Sequence, residues 1–206
     1  MIGFYNEVVN ETEVQMTVVV AIKENGTVYM GADTQSSRGN QKESSLNKFK
    51  ISKLKNGILI GFSGRVDSIQ LLLENEDMFS LDKDGNFTKK HIVNEIIPKM
   101  YEVLDKNGKI DDNGTMCLSI ILAYKNSIYQ ITDGFIVYAM EKTATIGSGG
   151  CIAKYPLINE REPVHERIID ALRKSTRRDS SVGAPYVLID TENLEFEVTD
   201  DSGNQR

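Results

Sequence analysis

The sequence predicts an α+β fold in four layers, two packed β-sheets covered on their outer faces by helices. Strand-like runs fill both ends of the 206-residue chain and return in its middle, and two stretches with helical spacing, around residues 66–104 and 151–175, separate them. A chain of this length buries a sizeable single core, and a content of 40% hydrophobic and 26% charged residues is ordinary for one globular domain. No repeat, low-complexity tract or linker divides it. Residues 1–16 read as an upstream extension or propeptide, 17–199 as the domain and 200–206 as a frayed tail.

In chain order, Thr17-Val18-Val19-Val20-Ala21-Ile22 is a strand run, Asn25-Gly26 is a turn, and Thr27-Val28-Tyr29-Met30-Gly31-Ala32 is a second strand ending on Asp33. Gly57-Ile58-Leu59-Ile60-Gly61-Phe62 is short, apolar and bounded by glycine, as a buried strand is. Val66, Ile69, Leu72 and Leu73 recur at helical intervals and leave Asp67, Glu74 and Glu76 for water. Asp82-Lys83-Asp84-Gly85-Asn86 is a loop. Ile92, Ile96, Met100 and Val103 or Leu104 stripe a second helix, which Pro98 should interrupt and Asn107-Gly108 should end.

The apolar run 116–124, a turn at Asn126-Ser127 and residues 128–131 form a hairpin signal, and residues 135–140 and 144–146 add two strands. Helical spacing returns at 151–157 and at Val164, Ile168, Ala171, Leu172 and Ser175, where Glu162-Pro163 suits a helix start. Residues 186–190 and 194–198 are closing strands around Thr191-Glu192-Asn193.

Bulk chemistry narrows the function classes. A net charge of −6 disfavours a nucleic-acid binder, whose footprint is a basic face. No apolar run approaches the roughly 20 residues of a membrane helix, and residues 1–16 carry acidic side chains without the apolar core of a secretory signal. Cys117 and Cys151 lack the spacing of a disulfide framework or zinc site, and His91 and His165 lack ligand-spaced partners, so no metal is expected and a reducing cytoplasm is the simplest home.

Five motifs stand in order along the chain: the strand pair opened by Thr17 and closed by Asp33; Asn47-Lys48-Phe49-Lys50-Ile51; Gly61-Phe62-Ser63-Gly64; Ile146-Gly147-Ser148-Gly149-Gly150; and Arg178-Asp179-Ser180-Ser181-Val182-Gly183. In this order the chain resembles the proteasome β-type subunits and the simpler bacterial ring peptidases, over nearly all of its length after residue 16. The resemblance implies an αββα sandwich of the N-terminal-nucleophile hydrolase type and threonine-type hydrolysis of polypeptides. It also implies a homo-oligomeric ring, a separate ATP-driven unfoldase as possible partner, and no cofactor.

By that resemblance Thr17 is the nucleophile and its freed α-amine the base, with a reference pKa of about 8. Asp33 and Lys50 set the charge around it. Gly64 offers the oxyanion its backbone N–H. Ser148 lies near the amine, and Asp179 binds Ser148 and the threonine backbone. Ser36, Phe62 and Val66, with Gln70 beside them, line the side-chain pocket, with Phe62 at its floor. Assigning Lys50 requires one inserted residue, since the family register lands near Phe49, and Lys48 stays a second candidate on the same strand face.

Some positions depart from the family. Met16 stands where self-cleaving members usually carry glycine, so autocleavage before Thr17 and translation from Met16 with methionine trimming both remain open. Val182 replaces a common serine, leaving Ser181 or water to substitute, and Arg65 follows Gly64 where a small residue is common. Taken singly, Thr17 is a β-propensity choice, Asp33 a strand-end turn residue, and Lys48, Lys50, Lys53 and Lys55 a solvated strand face. Two other functions fit the same fold: a non-catalytic ring or assembly subunit with Thr17 permanently covered, and an amidase acting on small amides.

Overall fold

The computed structural model describes residues 14–15, 17–38, 41–44 and 50–201, with backbone alone for 14–15, 36–38 and 41–44. Two antiparallel sheets form its centre. The first runs in the order β1 (Val14–Gln15), β7 (Leu59–Arg65), β8 (Leu118–Tyr124), β9 (Ser127–Ile131) and β10 (Val137–Met140), with β6 (Ile51–Lys53) also paired to β7. The second runs β11 (Thr143–Ile146), β2 (Val19–Glu24), β3 (Thr27–Asp33), β12 (Tyr186–Asp190) and β13 (Glu197–Thr199).

Helices cover the outer faces. Helix α1 (Val66–Glu74) lies on the first sheet with a long helix built from α2 (Lys89–His91), a π-helical turn (Ile92–Ile96) and α3 (Ile97–Lys106). Helices α4 (Gly150–Leu157) and α5 (Val164–Arg178) lie on the second. The result is the four-layer αββα sandwich.

Three cores follow from the two-residue period of the strands. On β8, Leu118, Ile120 and Leu122 face α1 and α3, while Ile121 and Ala123 face the other sheet. On β2, Val19 and Ala21 face the first sheet, and Val20 and Ile22 face α4 and α5. Because both faces of these strands are covered, their sequences read as continuous apolar runs rather than as alternation. Each fully buried aliphatic side chain contributes about 1.5–3 kcal/mol, so the four layers hold together without cross-links.

The elements differ from expectation in a few places. Strand β7 continues through Ser63-Gly64-Arg65 because β8 pairs with it as far as Leu118 opposite Gly64. Pro98 comes two residues after the end of the π-helical turn, whose wider backbone accommodates a residue that offers no N–H and crowds the preceding turn. Strand β13 starts at Glu197 because Leu194 takes a positive φ of 56° and donates its N–H back to Asp190, which lengthens the turn. A further hairpin, β4 (Gln35–Arg38) with β5 (Gln41–Ser44), had no apolar signal in the sequence. In the tail, Asp201 accepts from the Arg173 side chain at its carbonyl and from the Tyr186 hydroxyl at its carboxylate. Residues 202–206 lie outside the described residues, as do 1–13, Met16 and 45–49 with Lys48 and Phe49.

Candidate active site

The antiparallel register of β2 and β3 brings the end of one strand beside the start of the other. Val19 pairs with Ala32, so Asp33 falls next to Val18, and the Asp33 N–H donates to the Val18 carbonyl at 3.4 Å. Thr17, one residue further out, is fully buried. Its Oγ1 donates to Asp33 Oδ1 at 3.1 Å, and the Val18 N–H donates to the same oxygen at 3.0 Å.

Lys50 enters from the other sheet. It directly precedes β6, and its carbonyl accepts from the Phe62 N–H of β7 at 2.9 Å. Its Nζ donates to both Asp33 oxygens at 2.8 Å, and neither side chain reaches solvent. The solvated-face reading of the alternating lysines therefore fails for Lys50, although it suits Lys55, whose side chain is 82% exposed. Lys48 lies outside the described residues.

The Gly183 N–H completes the Asp33 carboxylate by donating to Oδ2 at 3.2 Å. Burial pushes the Asp33 carboxyl above its ordinary value, against the Lys50 charge and these N–H donors. Burial likewise pushes the Lys50 ammonium below its ordinary value, against Asp33 and Asp179. Both shifts have one cause: charges removed from water are costly even when paired.

The loop after β11 holds the Thr17 carbonyl. The Gly149 N–H donates to it at 3.3 Å, and Ser148 Oγ approaches it at 3.4 Å. Gly147 has φ +89°, and a Cβ there would stand 2.1 Å from the Thr17 oxygen, so no other residue fits. Ser148 also bonds to Asp179. Its single proton is shared between the Thr17 carbonyl, which the Gly149 N–H also serves, and the Asp179 carboxylate.

Asp179 follows α5 and accepts from the Ser181 N–H at 3.0 Å and from the Ser181 hydroxyl. Burial alone would raise its carboxyl, but Ser148, Ser181 and the Lys50 charge together hold it below the ordinary value. Ser181 is thus the serine of this loop that bonds to Asp179, while the Val182 side chain packs into the core under α5.

Gly64 sits at φ +132°, where a Cβ would lie 2.4 Å from the Cys117 carbonyl. Across from it stands Gln15, and Arg65 pairs with Val14, so the backbone just before Thr17 runs antiparallel along the end of β7. Arg65 is turned away into an ion pair with Asp67 at 2.8 Å, shared by Lys109 at 2.7 Å, and Asp67 is held well below the usual carboxylate range by Arg65 first and then Lys109. Phe62 is buried in the core against α1 and α3, and Val66, half-buried, starts α1. Ser36 falls in β4, and its side chain is outside what is described.

Thr17, Asp33, Lys50, Ser148 and Asp179 therefore come together, whereas Gly64 is placed by its pairing with Gln15. Sequence reasoning missed Val18 N–H and Gly183 N–H as donors to Asp33. A glycine following a serine-rich stretch was the available signal for Gly183. The assembled set holds two hydroxyls, a buried cation and two carboxylates, the parts a hydroxyl nucleophile needs once a base is added.

No family model matches the sequence, and no curated protein matches it. Solved structures do. Thiobacillus denitrificans BPH superposes with a TM-score of 0.70 at 18% identity, covering 87% of this chain and 99% of that one. Eukaryotic HslV from Trypanosoma brucei gives 0.62 at 19%, covering 84% and 98%. Anbu, an ancestral beta-subunit, from Yersinia bercovieri gives 0.65 at 12%, covering 91% and 88%. All are proteasome-fold N-terminal-nucleophile hydrolases, and this chain has their fold.

Proposed function

We propose that the protein is a threonine-type endopeptidase of a proteasome-like ring, with Thr17 as the nucleophile after residues 1–16 are removed. The observation that carries this reading is the buried carboxylate of Asp33, whose Oδ1 is shared by the Thr17 hydroxyl and the Lys50 ammonium. With Met16 attached, the Thr17 nitrogen is an amide without a basic lone pair. Freed, the α-amine takes the hydroxyl proton as Oγ1 attacks a substrate carbonyl, and the Lys50 charge favours the deprotonated forms of both groups. The Gly64 N–H stabilises the oxyanion. The amine then hands its proton to the leaving nitrogen, and water releases the acyl group from Thr17 by the reverse sequence.

The substrate class is an extended polypeptide. It adds as a strand to the end of β7, along the edge that Val14 and Gln15 pair with in the uncleaved chain. A chain made to begin at Thr17 is expected to hydrolyse fluorogenic peptides, and Thr17→Ala is expected to remove that activity. Undiminished hydrolysis in Thr17→Ala rejects the assignment.

A lone domain of this kind would be an unguarded protease, so a closed homo-oligomeric ring supplied by a separate unfoldase completes the reading. Sedimentation at micromolar concentration is expected to show the ring, and monomer alone speaks against it. Complete burial of Thr17 and the pairing of β1 with β7 favour one second reading, a ring subunit in which the extension is never removed.

A further inference from the structure

Immediately after Asp33, two side chains grip the segment that carries the second carboxylate of the site. Thr34 Oγ1 donates to the Pro185 carbonyl at 2.9 Å, and its N–H donates to the Gly183 carbonyl at 3.4 Å. Gln35 is 8% exposed, and its Nε2 donates to the Ser180 carbonyl at 2.9 Å. Its Oε1 lies 2.2 Å from where a Cβ on Gly183 would stand, so the amide fills the space that Gly183 leaves open. We infer that Gln35 is a positioning residue for the Thr17 site: by clamping the segment between Asp179 and Gly183 it fixes both carboxylates that face Lys50. The inference rests on the reading of Thr17 as the nucleophile.

Gly183 donates its N–H to Asp33, and Asp179, four residues earlier, faces Lys50 and accepts from Ser148. Among the described residues, the charged groups facing Lys50 are Asp33 from the end of β3 and Asp179 from the end of α5; the neutral groups around them are Thr17, Ser148 and Ser181. If the clamp loosens, Asp33 loses a donor that favours its charged form, so its pKa rises. Lys50 loses an anion that favours its charged form, so its pKa falls. Protonated Asp33 and neutral Lys50 are both unproductive, and the working pH window therefore narrows from both sides. A side chain that merely filled space would lower the amount of folded protein and leave the window where it was.

The test uses chains beginning at Thr17. Gln35→Met keeps the volume and removes the amide. It is expected to lower kcat on the order of 10- to 100-fold with KM within about twofold. The acid limb of the kcat–pH profile should move up and the basic limb down, each by about half a unit or more. Thr34→Val, which removes only the bond to Pro185, is expected to move the same limbs in the same directions by less, and it carries the test if Gln35→Met does not fold. Wild-type kcat and limb positions in the folded variants overturn the role of Gln35, provided Thr17→Ala is inactive. Activity retained in Thr17→Ala overturns the nucleophile assignment itself, whatever the Gln35 variants do.

Discussion

Lys50→Ala is expected to abolish peptide hydrolysis by a chain beginning at Thr17 almost as completely as Thr17→Ala, and to cost about 3–5 kcal/mol of stability. The Asp33 carboxylate that Lys50 neutralises is fully buried and takes bonds on both oxygens. Removing the cation leaves that charge uncompensated away from water, and Asp33 then escapes part of the cost by taking a proton.

This gives the stability effect a sign with pH. Asp33 already has a folded pKa above the ordinary value of 3.8, and losing Lys50 raises it further. Stability from a group shifted upward is complete below its unfolded pKa and is lost as pH rises through the folded one. The gap between wild type and a volume-matched Lys50→Met is therefore expected to widen from pH 5 to pH 8, read from urea midpoints. A gap that stays constant would show that packing, rather than charge, makes Lys50 necessary. In the same assays Lys48→Ala is expected to be tolerated, and the reverse ranking of the two lysines would place the site cation at the wrong residue.

Removing residues 1–16 is expected to raise hydrolysis by about 100-fold or more, the usual worth of a general base. In the full chain three obstacles coincide. The Thr17 nitrogen is an amide, the Thr17 hydroxyl is buried and donates to Asp33, and Val14 and Gln15 occupy the edge of β7 beside Gly64. Cleavage removes the first and the third together. Activity should rise in step with the loss of about 1.8 kDa, the mass of sixteen average residues. Equal activity in a chain verified to carry residues 1–16 would mean that another group does the chemistry, with Ser148 the first to examine.

The four layers were legible because strand runs and helical stripes alternate in blocks, and Thr17, Asp33, Ser148 and Asp179 were legible because their motifs stand in family order. Lys50 was less so. Its segment carries lysines at 48, 50, 53 and 55, and nothing in that pattern marks Lys50 as turned inward; its burial and its two bonds to Asp33 do. The hairpin of β4 and β5 was invisible, since Gln35-Ser36-Ser37-Arg38 and Gln41-Lys42-Glu43-Ser44 carry no apolar face. The part played by Gln35 and Gly183 was hidden for a different reason. Their contact joins residues nearly 150 positions apart through one amide and one missing Cβ, and no local period encodes such a pair.

The most direct test of Thr17 is to treat a chain beginning at that residue with a peptide epoxyketone and locate the covalent adduct by tandem mass spectrometry. One adduct on Thr17, formed as hydrolysis is lost and absent from Thr17→Ala, is the expected result. Loss of hydrolysis through an adduct on Ser148, or peptide hydrolysis that persists once Thr17 is fully modified, contradicts the assignment.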